Sequence, residues 1–128
     1  MGSFLDKLLA GAVGRYNLAP SSGLLVGPAS LVATAGQLVT CDPTSASPSV
    51  TAPQTPAAGA YFGVADATAK AGTHAINLIG GGSGQNLEVP GTPGTYSNTP
   101  SITVNSQVNW WCFISGVGWK LVYQFKAA

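Results

Sequence analysis

The chain has 128 residues, enough for one domain with its own core. Charged residues make up only 7% of it, against roughly 25% in ordinary globular proteins, and the formal net charge is +1. Five scattered cations exclude a phosphate-neutralising nucleic-acid surface, which needs several Lys or Arg on one face. So sparse a charge also excludes a charge-solvated disordered chain.

From the N-terminus, residues 3–16 carry apolar positions at helical spacing: Phe4, Leu5, Leu8, Leu9, Ala12, Val13 and Tyr16. Ser3 is a candidate N-cap with Asp6 three residues on. Gly11 and Gly14 weaken such a helix by about 1 kcal/mol each relative to Ala. A short helix of this kind is marginal alone, so its apolar face must dock, either on its own domain or on a neighbouring protein. The segment lacks the basic start of a signal peptide, and Asp6 occupies the position where N-myristoylation needs Ser or Thr. No apolar run approaches the roughly 20 residues of a membrane-spanning helix. A soluble protein made in the cytoplasm, with no membrane partner, is the expectation.

Residues 17–36 hold Pro20, Gly23, Gly27, Pro28 and Gly36, which break any long helix. Leu24, Leu25, Val26, Leu31 and Val32 are too apolar for a free linker, so an extended arm lying on a surface is expected, with one short strand at most. Residues 1–36 thus form an anchoring helix and arm. Residues 37–128 form the β domain.

From Gln37 onward the pattern is all β. Strands are expected at 37–41, 48–52, 60–66, 74–79, 86–89, 101–105, 107–115 and 117–125. Asp42-Pro43, Ala58-Gly59, the run Gly80–Gly84 and the run Pro90–Gly94 supply the turns between them. About eight short strands at this spacing predict an antiparallel β-sandwich, jelly roll or small barrel. The last two strands are the most informative. In 117–125, Val117, Trp119, Leu121, Tyr123 and Phe125 alternate with Gly118, Lys120, Val122 and Gln124. In 107–115 both faces are apolar: Val108, Trp110, Cys112 and Ile114 on one, Trp111 and Phe113 on the other. A strand apolar on both faces is usually covered on both. The expectation is that the Trp110 face fills the core, and that Trp111 and Phe113 meet other copies of the chain or a neighbouring element.

Chemistry-bearing residues are few. His74 has no second His, Cys or carboxylate near it in sequence, which makes a poor metal site. Asp42 and Asp66 sit at turns, and nothing in the sequence brings Asp66 and Glu88 together as a hydrolytic pair. The run Gly80–Gly84 lacks the Lys-Ser/Thr ending of a phosphate loop. Cys41 and Cys112 are too few for a disulfide framework; two buried free thiols are expected, with an inter-strand bridge as the lesser reading. No enzyme activity, metal or cofactor is expected. Trp110, Trp111, Trp119, Tyr61, Tyr96 and Tyr123 serve either as core and interface or as a sugar-binding platform.

Several runs recur together in order: Leu38-Val39-Thr40-Cys41-Asp42, then Ser49-Val50-Thr51-Ala52-Pro53. Pro56-Ala57-Ala58-Gly59-Ala60-Tyr61-Phe62-Gly63-Val64-Ala65-Asp66-Ala67 comes next, before Gly72-Thr73-His74-Ala75-Ile76-Asn77-Leu78-Ile79-Gly80. Gly116-Val117-Gly118-Trp119-Lys120-Leu121-Val122 closes the series. Each run alone is strand-and-turn grammar, but their order over Gln37–Phe125 resembles a β module of tailed-phage virion proteins found in fibres, spikes and capsid decorations. Ala60, Ala65 and Gly118 depart from the pattern, which usually has Asp, Lys and Asn there. The resemblance implies a homotrimeric structural protein of a virion, without catalytic residues. Its short length suits a capsid decoration (cement) protein or stubby head fibre. The partner is then the major capsid protein or another virion protein, reached through Phe4, Leu8, Leu9, Leu24, Leu25, Val26, Leu31 and Val32. The alternative is a tail-fibre or baseplate component that binds a host surface glycan.

Overall fold

The computed structural model describes residues 23–126. Eleven strands are present among them: β1 (Leu25–Val26), β2 (Ser30–Val32), β3 (Leu38–Asp42), β4 (Ser49–Thr51), β5 (Tyr61–Asp66), β6 (Ile76–Ile79), β7 (Leu87–Glu88), β8 (Tyr96–Ser97), β9 (Ser101–Ile102), β10 (Gln107–Ile114) and β11 (Gly118–Lys126). They form a seven-stranded sheet A, ordered β1-β3-β5-β10-β11-β7-β8, and a four-stranded sheet B, ordered β2-β4-β6-β9. The all-β, two-sheet expectation holds.

The pairing is not uniformly antiparallel. From β1 to β6 the chain alternates between the sheets, so β1, β3 and β5 run parallel in sheet A and β2, β4 and β6 run parallel in sheet B. Parallel neighbours need a long connection. Here that connection is a strand of the opposite sheet, and the chain winds in coils instead of folding into the hairpins of a jelly roll. Antiparallel pairs close the winding: β5 with β10, β10 with β11, and β6 with β9. The arm expected over 17–36 is drawn into this winding from Leu25 on. It contributes two strands, and its Leu25 and Leu31 pack against the core.

The two inner faces form one core. Sheet A supplies Val39, Cys41, Phe62, Val64, Leu87, Trp111 and Trp119; sheet B supplies Val50, Ile76, Leu78 and Ile102. The register aligns them: Val39 faces Val64, Val64 faces Asn109, Phe62 faces Trp111, and Val50 faces Leu78. Phe62 stacks on Trp111 at 5.4 Å between ring centroids and meets Trp119 edge-on at 4.9 Å. Phe113 tilts against Trp119 at 5.3 Å.

The expected assignment of the two faces of β10 is therefore reversed. Trp111 is fully buried in the protomer's own core, where no second copy can touch it, and Phe113 packs on that core. Phe62 and Trp119 close the core around Trp111, and the polar pair that shares this face is accommodated there. Gln107 and Asn109 look like surface residues, yet both are buried. Asn109 Nδ2 donates to Gln107 Oε1 at 3.1 Å, and Gln124 Nε2 donates to Asn109 Oδ1 at 2.8 Å. Satisfied amides can sit inside a core; unsatisfied ones cannot.

Candidate functional site

The outward side of sheet A is the surface that needs explanation. Reading across the register, Leu38, Gly63, Trp110 and Tyr123 form one row, and Ala65, Val108 and Phe125 another. Tyr61, Cys112 and Ile114 extend the face toward the far end of β10. Tyr61 is 44% exposed, Tyr123 53% and Phe125 50%. Trp110 lies across Gly63; a Cβ on that glycine would fall 2.6 Å from the indole, so only glycine lets the ring lie flat on β5. Tyr61 tilts against Trp110 at 5.8 Å.

A β-bulge builds this face. Trp111 pairs with Leu121 but Trp110 pairs with Tyr123, leaving Val122 as the extra residue. Trp119 and Leu121 point inward before the bulge, whereas Tyr123 and Phe125 turn outward after it. The single apolar face expected for 117–125 is thus split between the two sides of the sheet. Strict alternation carries no signal of a bulge, because Val122 is as strand-like as its neighbours.

The outward side of sheet B is different. Ser30, Ser49, Asn77 and Ser101 form its central row, with Val32, Thr51 and Ile79 beside them. Water serves that row without a partner. Among the described residues, only sheet A presents a broad aromatic and aliphatic exterior.

The ionisable groups are absorbed by structure. Glu88 is buried, and four hydrogen bonds fill its carboxylate. Oε1 accepts from Lys120 Nζ at 2.9 Å and Leu121 N at 2.8 Å; Oε2 accepts from Gly94 N at 2.7 Å and Lys120 Nζ at 3.1 Å. Burial pushes its pKa up, but the donors, Gly94 first and then Lys120 and Leu121, outweigh burial and hold it below the usual value. The hydrogen bond that Lys120 donates to Glu88 is the main cause that raises the Lys120 pKa. A shallow cleft lined by Glu88, Val89, Pro93, Lys120 and Leu121 lies here. Its carboxylate has no free lone pair for a substrate or proton transfer.

Asp66 accepts from Thr68 N, Ala71 N and Ser106 N, tying the loop after β5 to the turn before β10. Asp66 and Glu88 share none of these partners. Thr44 holds Asp42 below the ordinary carboxylate pKa by hydrogen bonds to its side chain. His74 lies ahead of β6 in a turn, with Nδ1 at 3.2 Å from the Pro43 carbonyl oxygen. No group of three or more His, Cys, Asp or Glu suited to a metal occurs among the described residues.

Both cysteines are free thiols. Cys41 faces the core and Cys112 faces outward, on opposite sides of sheet A. Burial, with Asp66 adding to it, pushes the Cys41 pKa up to about 12.

Of the residues expected to attach a partner, Leu24 is 40% exposed, Val26 50% and Val32 52%. Leu25 and Leu31 are half-buried on the core. Phe4, Leu8 and Leu9 lie outside the described residues. Of the six candidate platform aromatics, Trp111 and Trp119 belong to the core, and Trp110, Tyr61 and Tyr123 meet on the outer face of sheet A. Tyr96 lies apart from them in β8. No protein-family model matches the chain, and no curated protein matches it.

Proposed function

We propose that this chain is a structural subunit of a tailed-phage particle, a homotrimeric capsid decoration protein or short head fibre. The carrying observation is a complete β-sandwich with few charges that still leaves apolar positions open along its N-terminal strands and on sheet A. The ordered runs of Gln37–Phe125 support the virion assignment by resemblance. Val26 and Val32 sit on edge strands, Leu24 precedes the first of them, and all three offer apolar contact to the major capsid protein or another virion protein. Such contacts, at about 25 cal/mol per Å² of apolar area, hold neighbouring capsid subunits together. Ile114 and Val117, both exposed at the β10–β11 turn beside Phe113, are the positions for contact between copies.

Co-sedimentation of the full chain with phage particles tests attachment. Val26→Asp with Val32→Asp should abolish binding while leaving the circular dichroism unchanged. Unchanged binding overturns the assignment of these residues. Light scattering should give three times the chain mass; a stable monomer overturns the trimer.

A second reading, binding of a host surface glycan at the tail, has one observation in its favour: Trp110, Tyr61 and Tyr123 gather on one open face. Titration with host polysaccharide, followed by tryptophan fluorescence, separates the two. Saturable quenching that Trp110→Ala removes favours the glycan.

A further inference from the structure

We infer that the open edge of β11 pairs with β11 of a second copy, the two strands running antiparallel about a two-fold axis at Phe125. β11 is 9 residues long, yet β7 meets it at one position, Trp119 opposite Leu87. Past that position Leu121 N donates to the Glu88 carboxylate, and β7 leaves the strand. The run Val122–Lys126 then has β10 on one side and, among the described residues, no strand on the other. Every residue of the run is exposed.

The main-chain groups that face the open side follow from the register. Phe113 N donates to Ala60 O, toward β5. Alternate residues of an antiparallel strand turn their main chain the same way. Trp111, Asn109 and Gln107 therefore face β5, and Trp110 and Val108 face β11. Tyr123 and Phe125, the partners of Trp110 and Val108, spend their N–H and C=O groups on β10. Gln124 and Lys126, opposite Asn109 and Gln107, turn theirs to the open side. A row of unpaired main-chain groups is a template for another strand.

The other sheet edges are blunted. β1, β2, β8 and β9 are two or three residues long. Pro28 lies between β1 and β2, and Pro100 directly precedes β9. Val122–Lys126 is the longest unpaired run among the described strands, and it has no proline.

The edge complements itself. With Phe125 on the axis, Gln124 stands opposite the partner's Lys126, and the two exchange main-chain hydrogen bonds on either side of the axis. Phe125 meets the partner's Phe125 as a non-hydrogen-bonded pair, the closer kind, with about 4.5 Å between Cα atoms. Aromatic pairs stabilise at such positions, and like charges destabilise. Lys126, the one charge of the run, faces Gln124 and not another lysine. The apolar row Ala65, Val108, Phe125 continues into the same row of the second copy. The contact is isologous and closes on itself.

So short a pairing falls below the ~1,200 Å² of a standard interface, and its association is weak and concentration-dependent. Ile114 and Val117 lie at the other end of β11, about 24 Å from Phe125. Both contacts are open to one copy at once, and β11 pairing then joins one trimer to the next. The inference does not rest on the virion assignment.

Sedimentation equilibrium of the full chain from about 1 μM to about 1 mM should show the weight-average mass rising at least about twofold. The mass at the dilute limit reports on the trimer, and the rise above it reports on β11. Phe125→Lys sets two charges against each other at the axis and should remove the rise. Phe125→Cys in a Cys112→Ser background should form a disulfide-linked pair on mild oxidation. Tyr123→Cys in that background should not, because its copies stand about 14 Å apart, beyond the ~7 Å between Cα atoms that a disulfide spans. Amide exchange at Gln124 and Lys126 should slow as concentration rises. A mass independent of concentration overturns the inference, as does an equal rise in the Phe125→Lys variant. Slow exchange of both amides at the dilute limit also overturns it, since the edge is then covered without a second β11.

Discussion

Four hydrogen bonds from three donors fill the Glu88 carboxylate, and these bonds decide what the residue does for the protein. Burial alone would favour the neutral acid, but Gly94, Lys120 and Leu121 keep it charged. Its folded pKa lies below the ordinary 4.5. The stabilisation is therefore fully present above that ordinary value and is lost as pH falls through the lowered one. Glu88→Gln should cost about 2–4 kcal/mol at neutral pH, since it leaves buried backbone N–H groups poorly bonded. Thermal melts from pH 7 to pH 3 should show the wild type losing its advantage over the variant at the acid end. A constant difference across that range removes Glu88 from the acid response. Gly118 is another residue with a single physical role. Its φ is +119°, and a Cβ there would fall 2.5 Å from the Asn86 carbonyl oxygen. The glycine lets Trp119 N donate to that same carbonyl at 2.8 Å and seats the tryptophan in the core.

At the scale of elements, β10 and β11 carry the argument. Their existence and their type are legible in the sequence, because period-two alternation over eight or nine residues leaves little else. Which face of β10 turns inward is not legible, because both faces are apolar. The answer depends on Phe62 and Trp119, which close on Trp111 from other strands. Trp111→Ala should cost about 3–5 kcal/mol in chemical denaturation, as for other large core aromatics. Trp110→Ala should cost less than half of that. Equal losses would contradict the assignment of faces. The bulge at Val122 makes a separate prediction. Deleting Val122 removes the extra residue and restores simple alternation, with Leu121 still inward and Tyr123 and Phe125 still outward. The variant should therefore stay within about 0.5 kcal/mol of the parent in chemical denaturation, since Val122 is exposed. A loss well above that would contradict Val122 as the extra residue of the bulge.

At the scale of the whole molecule, the winding from sheet to sheet ties the N-terminal strands into the domain. Leu25→Asp should therefore destabilise by about 2–3 kcal/mol, while Val26→Asp stays within about 0.5 kcal/mol. Denaturant midpoints of the two variants check this, and equal midpoints would return residues 23–36 to the status of a loose arm. The sequence alone determined the class of structure, the places of the main strands and turns, and the scarcity of groups able to do chemistry. These follow from local alternation, turn residues and composition, which act over a few residues at a time. It also marked 107–115 as a strand needing cover on both sides. Only the tertiary structure decided that neighbours in each coil run parallel, that Trp111 is inside and Trp110 outside, and that one bulge sends Tyr123 and Phe125 outward. Those outcomes depend on contacts between residues far apart in the chain, and a two-faced apolar strand fits either orientation until its partners are in place.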